Sequence, residues 1–485
     1  MNISYNIFNF IKTSIYYILV ITTLTKIINS YKNVKSVIFW ILIIYTFPVL
    51  GVIAWIFLDG IYINNNFGVE NNIWFKLSNW FNNLKNYKKN FQINNSKIAK
   101  SLFILCKKKQ GINSTQGNKL RLINSAQKTI HMLIYDIYTA RKNIEMVFYI
   151  WQPGGLADQV ALALIYSAKR GIYCRLMLDY VGSMFFFRSR WFKIMKKSGI
   201  HIIKVFKINI LTIFFKRIDI RQHRKIILID DYIAYTGSMN LVDPIYFKKS
   251  SGVGQWLDLM TRMKGPVVTS LGIVYSHDWE IETGISIFPK INKKNINIIS
   301  KNNKNITQVI SSNFNSTQDI IHQTFLNTIY SAKKKIIITT PYLVPSEDLL
   351  FAICSAAEKG IDVNIIIPKY IDSILVYWAS RYFFTELLES GVKIYQFKGG
   401  FLHVKSILID QQLSLVGTAN LDMRSLCLNY EINLLIDDKK FSHKLESIQK
   451  KYIKKSKLLK LDIWSLRSKW EKFIEKIFLF FRPLL

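Results

Sequence analysis

The sequence predicts an α/β protein: two tandem α/β units whose sheets pack about a pseudo-two-fold axis, preceded by two transmembrane helices. Three observations predict it. One block of sequence occurs twice, 221–240 and 401–420, in the same register. Short β-branched runs alternate with helical periods in the body of the chain. Near the N-terminus, residues 37–58 run without a charge. Half of the 485 residues are apolar and 14% are aromatic, which excludes a disordered chain. The four cysteines, at 106, 174, 354 and 427, exclude a disulfide scaffold and a paired CxxC zinc site.

The N-terminal anchor spans 1–63. The stretch 37–58 is long enough to cross a bilayer, with Trp40 and Trp55 near its ends and Pro48 and Gly51 tolerated inside it. An earlier span, about 8–28, has a charge-free core only from Thr13 to Thr25, so Lys12 and Lys26 must reach the interfaces. A connecting segment, 64–114, carries Lys76, Lys85, Lys88, Lys89, Lys97 and Lys100; the loop between the spans carries Lys32 and Lys35. The larger cluster favours a body on the cytoplasmic side of a multi-pass protein. With 66 Lys and Arg against 31 Asp and Glu, the formal charge is +35, which suits an anionic membrane surface or nucleic acid. The heavy use of Lys, Asn and Ile accounts for part of that excess as composition drift.

The first unit is read as 115–290, a linker as 291–306 and the second unit as 307–485. In the second unit, 335–340 reads as a strand, 347–358 as a helix, 363–367 as a strand, 373–390 as a helix stopped by Gly391, and 392–397 as a strand. The apolar residues after each His-x-Lys are near-continuous, as in a strand buried on both faces.

The repeat carries the chemistry. His223 matches His403, Lys225 matches Lys405, and Asp230 matches Asp410. Gly237-Ser238 matches Gly417-Thr418, and Asn240 matches Asn420. On an extended chain, residues i and i+2 share a face, so each His sits beside its Lys. Duplicated about a two-fold, this places two imidazoles and two ammonium groups around one point. The cations suit a phosphate whose oxygens gain charge during transfer. One imidazole suits attack on phosphorus and the other protonation of the leaving oxygen. Ser238, Asn240, Thr418 and Asn420 supply donors for the remaining phosphate oxygens. Asp230 and Asp410 fall on the opposite strand face and read as partners of a neighbouring turn or cation. Asp258 and Glu431 read as the carboxylates that orient the imidazoles through Nδ1. The other histidines, at 131, 201, 277, 322 and 443, are unspaced for ligation, and no metal or other cofactor is called for.

HRKIILIDDYIAYTGSMN and HVKSILIDQQLSLVGTANLDMRS resemble the paired HKD motifs of the phospholipase D superfamily. With the two N-terminal spans, the stretches 235–244 and 252–260, and the terminal RPLL, the chain is similar throughout to bacterial cardiolipin synthases. The resemblance implies catalytic roles for His223, Lys225, Asp230, His403, Lys405 and Asp410. It implies a transphosphatidylation in the bacterial inner membrane, without a cofactor, on membrane phospholipids. Two phosphatidylglycerols would give cardiolipin and glycerol through a phosphatidyl-histidine. His223 is taken as nucleophile and His403 as general acid and then base, the symmetry leaving the reverse open. A different acceptor, simple hydrolysis, nuclease activity and a lipid-binding scaffold are the competing readings; the spans argue against nucleic acid as partner. Residues 469–481 have helical apolar spacing that suits either a membrane surface or packing on the body. The run 184–188 with Trp191 suits either an acyl-chain entrance or packing.

Overall fold

The computed structural model describes residues 2–30, 34–58, 67–83, 98–207, 219–289, 305–312 and 319–482. Nearly all of the expected linker, and residues 84–97 of the expected connecting segment, lie outside them. Two compact units emerge: 1–65 with 208–220, and 66–207 with 221–485.

In the N-terminal unit, a helix runs Asn2–Ser30, and its segment Phe10–Asn29, of mean hydropathy 1.4, is the one helix among the described residues long and apolar enough to cross a membrane. The stretch 37–58, expected as a single span, is instead two helices, Val34–Thr46 and Pro48–Leu58. Pro48 has no N–H for the helical ladder, and its ring crowds the carbonyl one turn back. The bend brings the chain so close that a Cβ at Gly51 would lie 2.9 Å from Ile44 Cα. Ile27, Trp40, Ile44, Val52 and Trp55 form the small core of this unit.

Among the described residues, the body holds two large sheets and two two-stranded pairs. Its strands, in chain order, begin with β1 (Thr115–Gln116), β2 (Lys119–Ile123), β3 (Asn143–Phe148), β4 (Tyr173–Asp179) and β5 (His201–Val205). Next come β6 (Ile226–Ile229), β7 (Ile233–Gly237), β8 (Trp256–Leu257), β9 (Met260–Lys264) and β10 (Ile306–Ser312). The second unit adds β11 (Lys335–Thr339), β12 (Leu343–Val344), β13 (Asp362–Pro368), β14 (Lys393–Phe397) and β15 (Phe401–Leu402). It ends with β16 (Ser406–Ile409), β17 (Leu413–Gly417), β18 (Leu421–Asp422), β19 (Glu431–Asp437) and β20 (Ser456–Leu458). The first sheet has the order β2-β9-β7-β6-β3-β4-β5. The second is β1-β10-β19-β17-β16-β11-β13-β14-β20, and the two-stranded pairs are β12–β18 and β15–β8. The run β9-β7-β6-β3-β4-β5 thus recurs as β19-β17-β16-β11-β13-β14, so the sequence repeat is a structural repeat. In both, the first three strands of the unit's βαβ alternation are parallel, and the strand that follows the His-x-Lys runs antiparallel to them.

The strands after the histidines are buried on both faces, as their apolar runs require. Ile226 and Leu228 of β6 enter a core shared with Leu408 of β16, Val416 and Ile432 from the second sheet. Ile227 and Ile229 face the other way, into the outer core under the helices Ala126–Tyr138 and Leu156–Lys169. The shared core also receives the helix Val267–Thr283 from the first unit and the helix Lys439–Lys454 from the second. Two sheets therefore face one another across a common apolar layer, with equivalent helices filling it, and the two histidine segments meet at its edge. Of the run 184–188, Phe186 is fully buried against Trp151, with centroids 4.9 Å apart, and Phe185 is exposed. That segment packs the outer core through Phe186.

Candidate active site

Each histidine lies in an extended segment just before its strand, and each segment is hydrogen-bonded in parallel to a segment of the other unit. The His223 N–H donates to the Tyr430 carbonyl at 3.0 Å, and Tyr430 N–H to Arg221 O at 3.0 Å. In the mirror position, His403 N–H donates to Leu257 O at 2.8 Å, within the parallel pair β15–β8. The residue after each acceptor is a carboxylate. His223 Nδ1 therefore meets Glu431, at 2.8 Å to Oε1 and 2.9 Å to Oε2. His403 Nδ1 meets Asp258 Oδ1 at 2.7 Å. Each unit supplies the histidine that the other unit's carboxylate orients.

The Gly-[ST]-x-Asn runs build the carboxylate side of these pairs. Ser238 Oγ donates to Asp258 Oδ1 at 2.7 Å and accepts from Leu259 N–H at 2.9 Å. Thr418 Oγ1 donates to Glu431 Oε2 and accepts from Ile432 N–H at 2.8 Å. A hydroxyl has one hydrogen, so both are spent on the carboxylates rather than turned toward the space in front of the histidines. The preceding glycines let the strands come this close: a Cβ at Gly237 would lie 2.2 Å from Leu259 O, and one at Gly417 2.4 Å from Ile432 O. Asn240 Oδ1 accepts from Ile150 N–H at 3.3 Å, and its amide nitrogen remains for a further acceptor. Asn420 is buried, and its Oδ1 has no hydrogen-bond partner.

Lys225 Nζ donates to His223 O, and Lys405 Nζ to His403 O, both at 2.8 Å. That uses one of three ammonium hydrogens in each. Burial pushes the lysines down to about 8 for Lys225 and about 7 for Lys405. Burial also lowers both histidines to about 4, against the pull of their carboxylates; the lysines of both units lower them further. Burial alone would raise Glu431 and Asp258, but the imidazole and lysine on each, with Thr418 or Ser238, bring both below their ordinary values. The resulting state is a neutral imidazole donating Nδ1–H to an ionised carboxylate, with the Nε2 lone pair free. Two such groups, each within the field of both lysines, can attack one electrophilic centre and protonate its leaving group in turn.

Asp230 and Asp410 sit elsewhere. Asp230 accepts from the N–H groups of Arg141, Lys142 and Asn143; Asp410 accepts from those of Lys333, Lys334 and Lys335. Both occupy left-handed backbone, at φ 56° and 49°. They clamp the turns that start β3 and β11, a full strand away from the histidines at roughly 3.3 Å per residue. The turn-holding reading therefore describes them, and a place among the reacting groups does not. The odd spacing from each His is the signal: it turns the side chain to the far face.

Four neighbours of the site were not singled out by the sequence. Arg224, fully buried, ion-pairs with Asp278, donates to Ser312 O at 2.6 Å and to Glu431 O at 3.2 Å, and so ties the Glu431 strand to the first unit. Tyr149 presents its ring edge to His223 at 5.2 Å. Trp256 and Phe401 flank His403 at 4.6 and 5.8 Å. The position between His and Lys, Arg in one copy and Val in the other, was the available clue to Arg224. Among the described residues, no group of three or more His, Cys, Asp or Glu is placed to hold a metal ion.

The chain matches a family model described as cardiolipin synthase, PLD-like domain, over residues 120–245 and 325–453. It is 56% identical to Cardiolipin synthase A of Buchnera aphidicola subsp. Schizaphis graminum over 486 residues, covering 100% of both chains. It is 50% identical to Cardiolipin synthase A of Klebsiella pneumoniae subsp. pneumoniae, again over 486 residues and 100% of both. Among solved structures, a phosphatidylserine synthase from Haemophilus influenzae Rd KW20 aligns with TM-score 0.56 at 15% identity, covering 76% of this chain and 95% of that one. That likeness concerns the fold.

Proposed function

The chain belongs to the cardiolipin synthase family with PLD-like domains, and from that premise we propose a reaction mechanism carried by the crossed histidine–carboxylate pairs. It is a phosphatidyltransferase that joins two phosphatidylglycerols into cardiolipin and releases glycerol. The donor phosphodiester sits between Lys225 and Lys405, whose charge its anion restores. His223 Nε2 attacks phosphorus, and the P–O bond to the head-group glycerol breaks. His403, protonated as the anion enters, gives its Nε2 proton to the departing glycerol oxygen. A phosphatidyl-histidine remains, its positive imidazolium balanced by Glu431. The terminal hydroxyl of a second phosphatidylglycerol then gives its proton to His403 Nε2 and attacks phosphorus, breaking the P–N bond and freeing His223. Asp258 supports His403 through both steps. Ser238 and Thr418 position the carboxylates, and Asn240 and Asn420 offer amide donors to the phosphate.

The observation that carries this reading is the pair of imidazoles with Nδ1 held and Nε2 free. The test is lipid product analysis of detergent-purified wild type and His403→Ala with labelled phosphatidylglycerol. Cardiolipin with glycerol from wild type alone is expected. Phosphatidic acid as the product would make the enzyme a hydrolase and overturn the acceptor.

The protein is membrane-associated. We place its helix 10–29 across the cytoplasmic membrane and the bent pair 34–58 within it, with the catalytic body on the cytoplasmic side, as the excess of lysine in the sequence after the second span favours. Accessibility of an introduced cysteine at Lys128, in intact and permeabilised cells, tests the side; labelling in intact cells would reverse it.

A further inference from the structure

The C-terminal helix, Lys469–Leu479, is amphipathic in the reverse sense. A helix on a water-soluble body buries its apolar face and exposes its charges. Here the buried residue is a carboxylate. Glu475 is 3% exposed and takes Arg381 Nε at 2.9 Å and Arg467 Nη1 at 2.7 and 2.8 Å. Glu471 takes Arg381 Nη2 at 3.0 Å and closes a capping box with Ser468. The outward face is Leu466, Trp470, Phe473, Ile477, Phe480 and Phe481, with Trp470 67% and Phe480 64% exposed. Arg482 pins the end of the segment by donating to Pro345 O at 2.5 Å. The helix is therefore fastened to the body by buried ion pairs together with Phe478, stacked on Trp378, and Leu479, packed on the core, while Trp470, Phe473 and Ile477 stay exposed on its other side. On the helix it packs against, Ile374 and Leu375 are also exposed.

We propose that this helix and its flanks are a second membrane contact, seated at the interface of an anionic bilayer. Two features choose lipid over a protein partner. Trp and Phe are the residues that settle at the head-group level. Lys469, Lys472 and Lys476 are interleaved with them, which matches an anionic lipid surface and would be costly in a dry protein interface. The two settings open to this segment, membrane surface and body, are both met: Glu471 and Glu475 with Phe478 and Leu479 face the body, while Trp470, Phe473 and Ile477 face outward. Such a contact holds the body flat on the leaflet that supplies its lipid substrates. The proposal concerns lipid contact and does not depend on which reaction is catalysed.

The test uses full-length protein with Cys427→Ser and Phe473→Cys, the latter carrying a nitroxide; the other three cysteines are buried. In vesicles containing phosphatidylglycerol, the label is expected to be accessible to oxygen and shielded from a water-soluble nickel chelate. A nickel-accessible label overturns the proposal. So does a label shielded from both reagents with spin–spin broadening, which would mean contact between copies. In parallel, Trp470→Ser with Phe473→Ser is expected to lose roughly tenfold activity on vesicles while retaining wild-type activity in mixed micelles. Equal loss in both would make the aromatics structural and also overturn it.

Discussion

The two histidines share a backbone register and a pairing logic, yet their surroundings differ. His223 is gripped by both oxygens of a glutamate, with a tyrosine edge beside it and a buried arginine next to it in sequence. His403 is held by one oxygen of an aspartate, between Trp256 and Phe401, with Val404 in the arginine's place. Both imidazoles are nonetheless lowered to about 4. The duplication has kept what the chemistry needs, a neutral imidazole with Nδ1 held. It has let the walls diverge: polar and charged on one side, aromatic on the other. A reaction with two unlike half-steps, leaving of glycerol and arrival of a lipid alcohol, has use for unlike walls.

The sharpest way to break the comparison is to remove each histidine. Either His→Ala change is expected to lower cardiolipin formation at least about 10⁴-fold. A donor lipid with a p-nitrophenol leaving group, which departs without a proton, separates them. His403→Ala should regain a burst of nitrophenol and His223→Ala should not; the opposite pattern exchanges their roles.

Crossed pairing predicts which carboxylate serves which histidine. Glu431→Gln and Asp258→Asn should each lower kcat by about 10²–10⁴, with KM little changed, because the tautomer and charge are lost while the shape remains. With the nitrophenol donor, Glu431→Gln should behave like His223→Ala and Asp258→Asn like His403→Ala. If each instead resembled its own unit's histidine, the crossing would not operate in solution.

The lysines supply a pH test. Their native values, about 8 and about 7, lie below the ordinary 10.5. As pH rises through that range the free enzyme loses its site cations one after the other, so kcat/KM should fall about tenfold per pH unit between about pH 7 and 8 and about hundredfold per unit above about pH 8. Stability moves the opposite way. The native state binds fewer protons than the unfolded chain, so Lys405 contributes a Tm that rises with pH from about 7 to 10.5. Lys405→Met should remove that slope. A kcat/KM flat to pH 10 would mean that other groups hold the phosphate.

The smallest expected effect on activity comes from the residue between His and Lys. Arg224→Met should destabilise by roughly 3–5 kcal/mol, because the buried Asp278 loses its guanidinium partner and keeps only Gln222 Nε2 and His277 Nδ1 beside it. Val404→Ala should cost roughly 1–3 kcal/mol for a small cavity. Denaturant unfolding of the two variants measures the difference. Equal losses would mean that Arg224 only fills space.

Much of this was legible in the chain. The strand and helix bounds of the second unit followed from periodicity: the helix expected at 347–358 runs Glu347–Glu358, and that at 373–390 runs Ile374–Glu389. The burial of Ile226–Ile229 followed from an unbroken apolar run. The far-face position of Asp230 and Asp410 followed from odd spacing. Other features resisted. The stretch 37–58 is uniformly apolar, and hydropathy does not register the missing N–H of Pro48 that divides it. In 469–481 the spacing shows an apolar stripe, but not that Arg381 and Arg467 claim the opposite stripe for the body.

By itself, then, the sequence determined the duplicated His-x-Lys and the α/β layering, and it offered Asp258 and Glu431 as candidates for the orienting carboxylates. These are local properties: spacing, period and residue type over a few turns or strands. The tertiary structure alone decided that Glu431 serves His223, 208 residues away, and that Asp258 serves His403, 145 residues away. It also decided that Ser238 and Thr418 face those carboxylates. In a duplicated chain, partners within a unit and across units satisfy the same spacing. Only the backbone pairing of the two histidine segments, each against a strand of the other unit, selects between them.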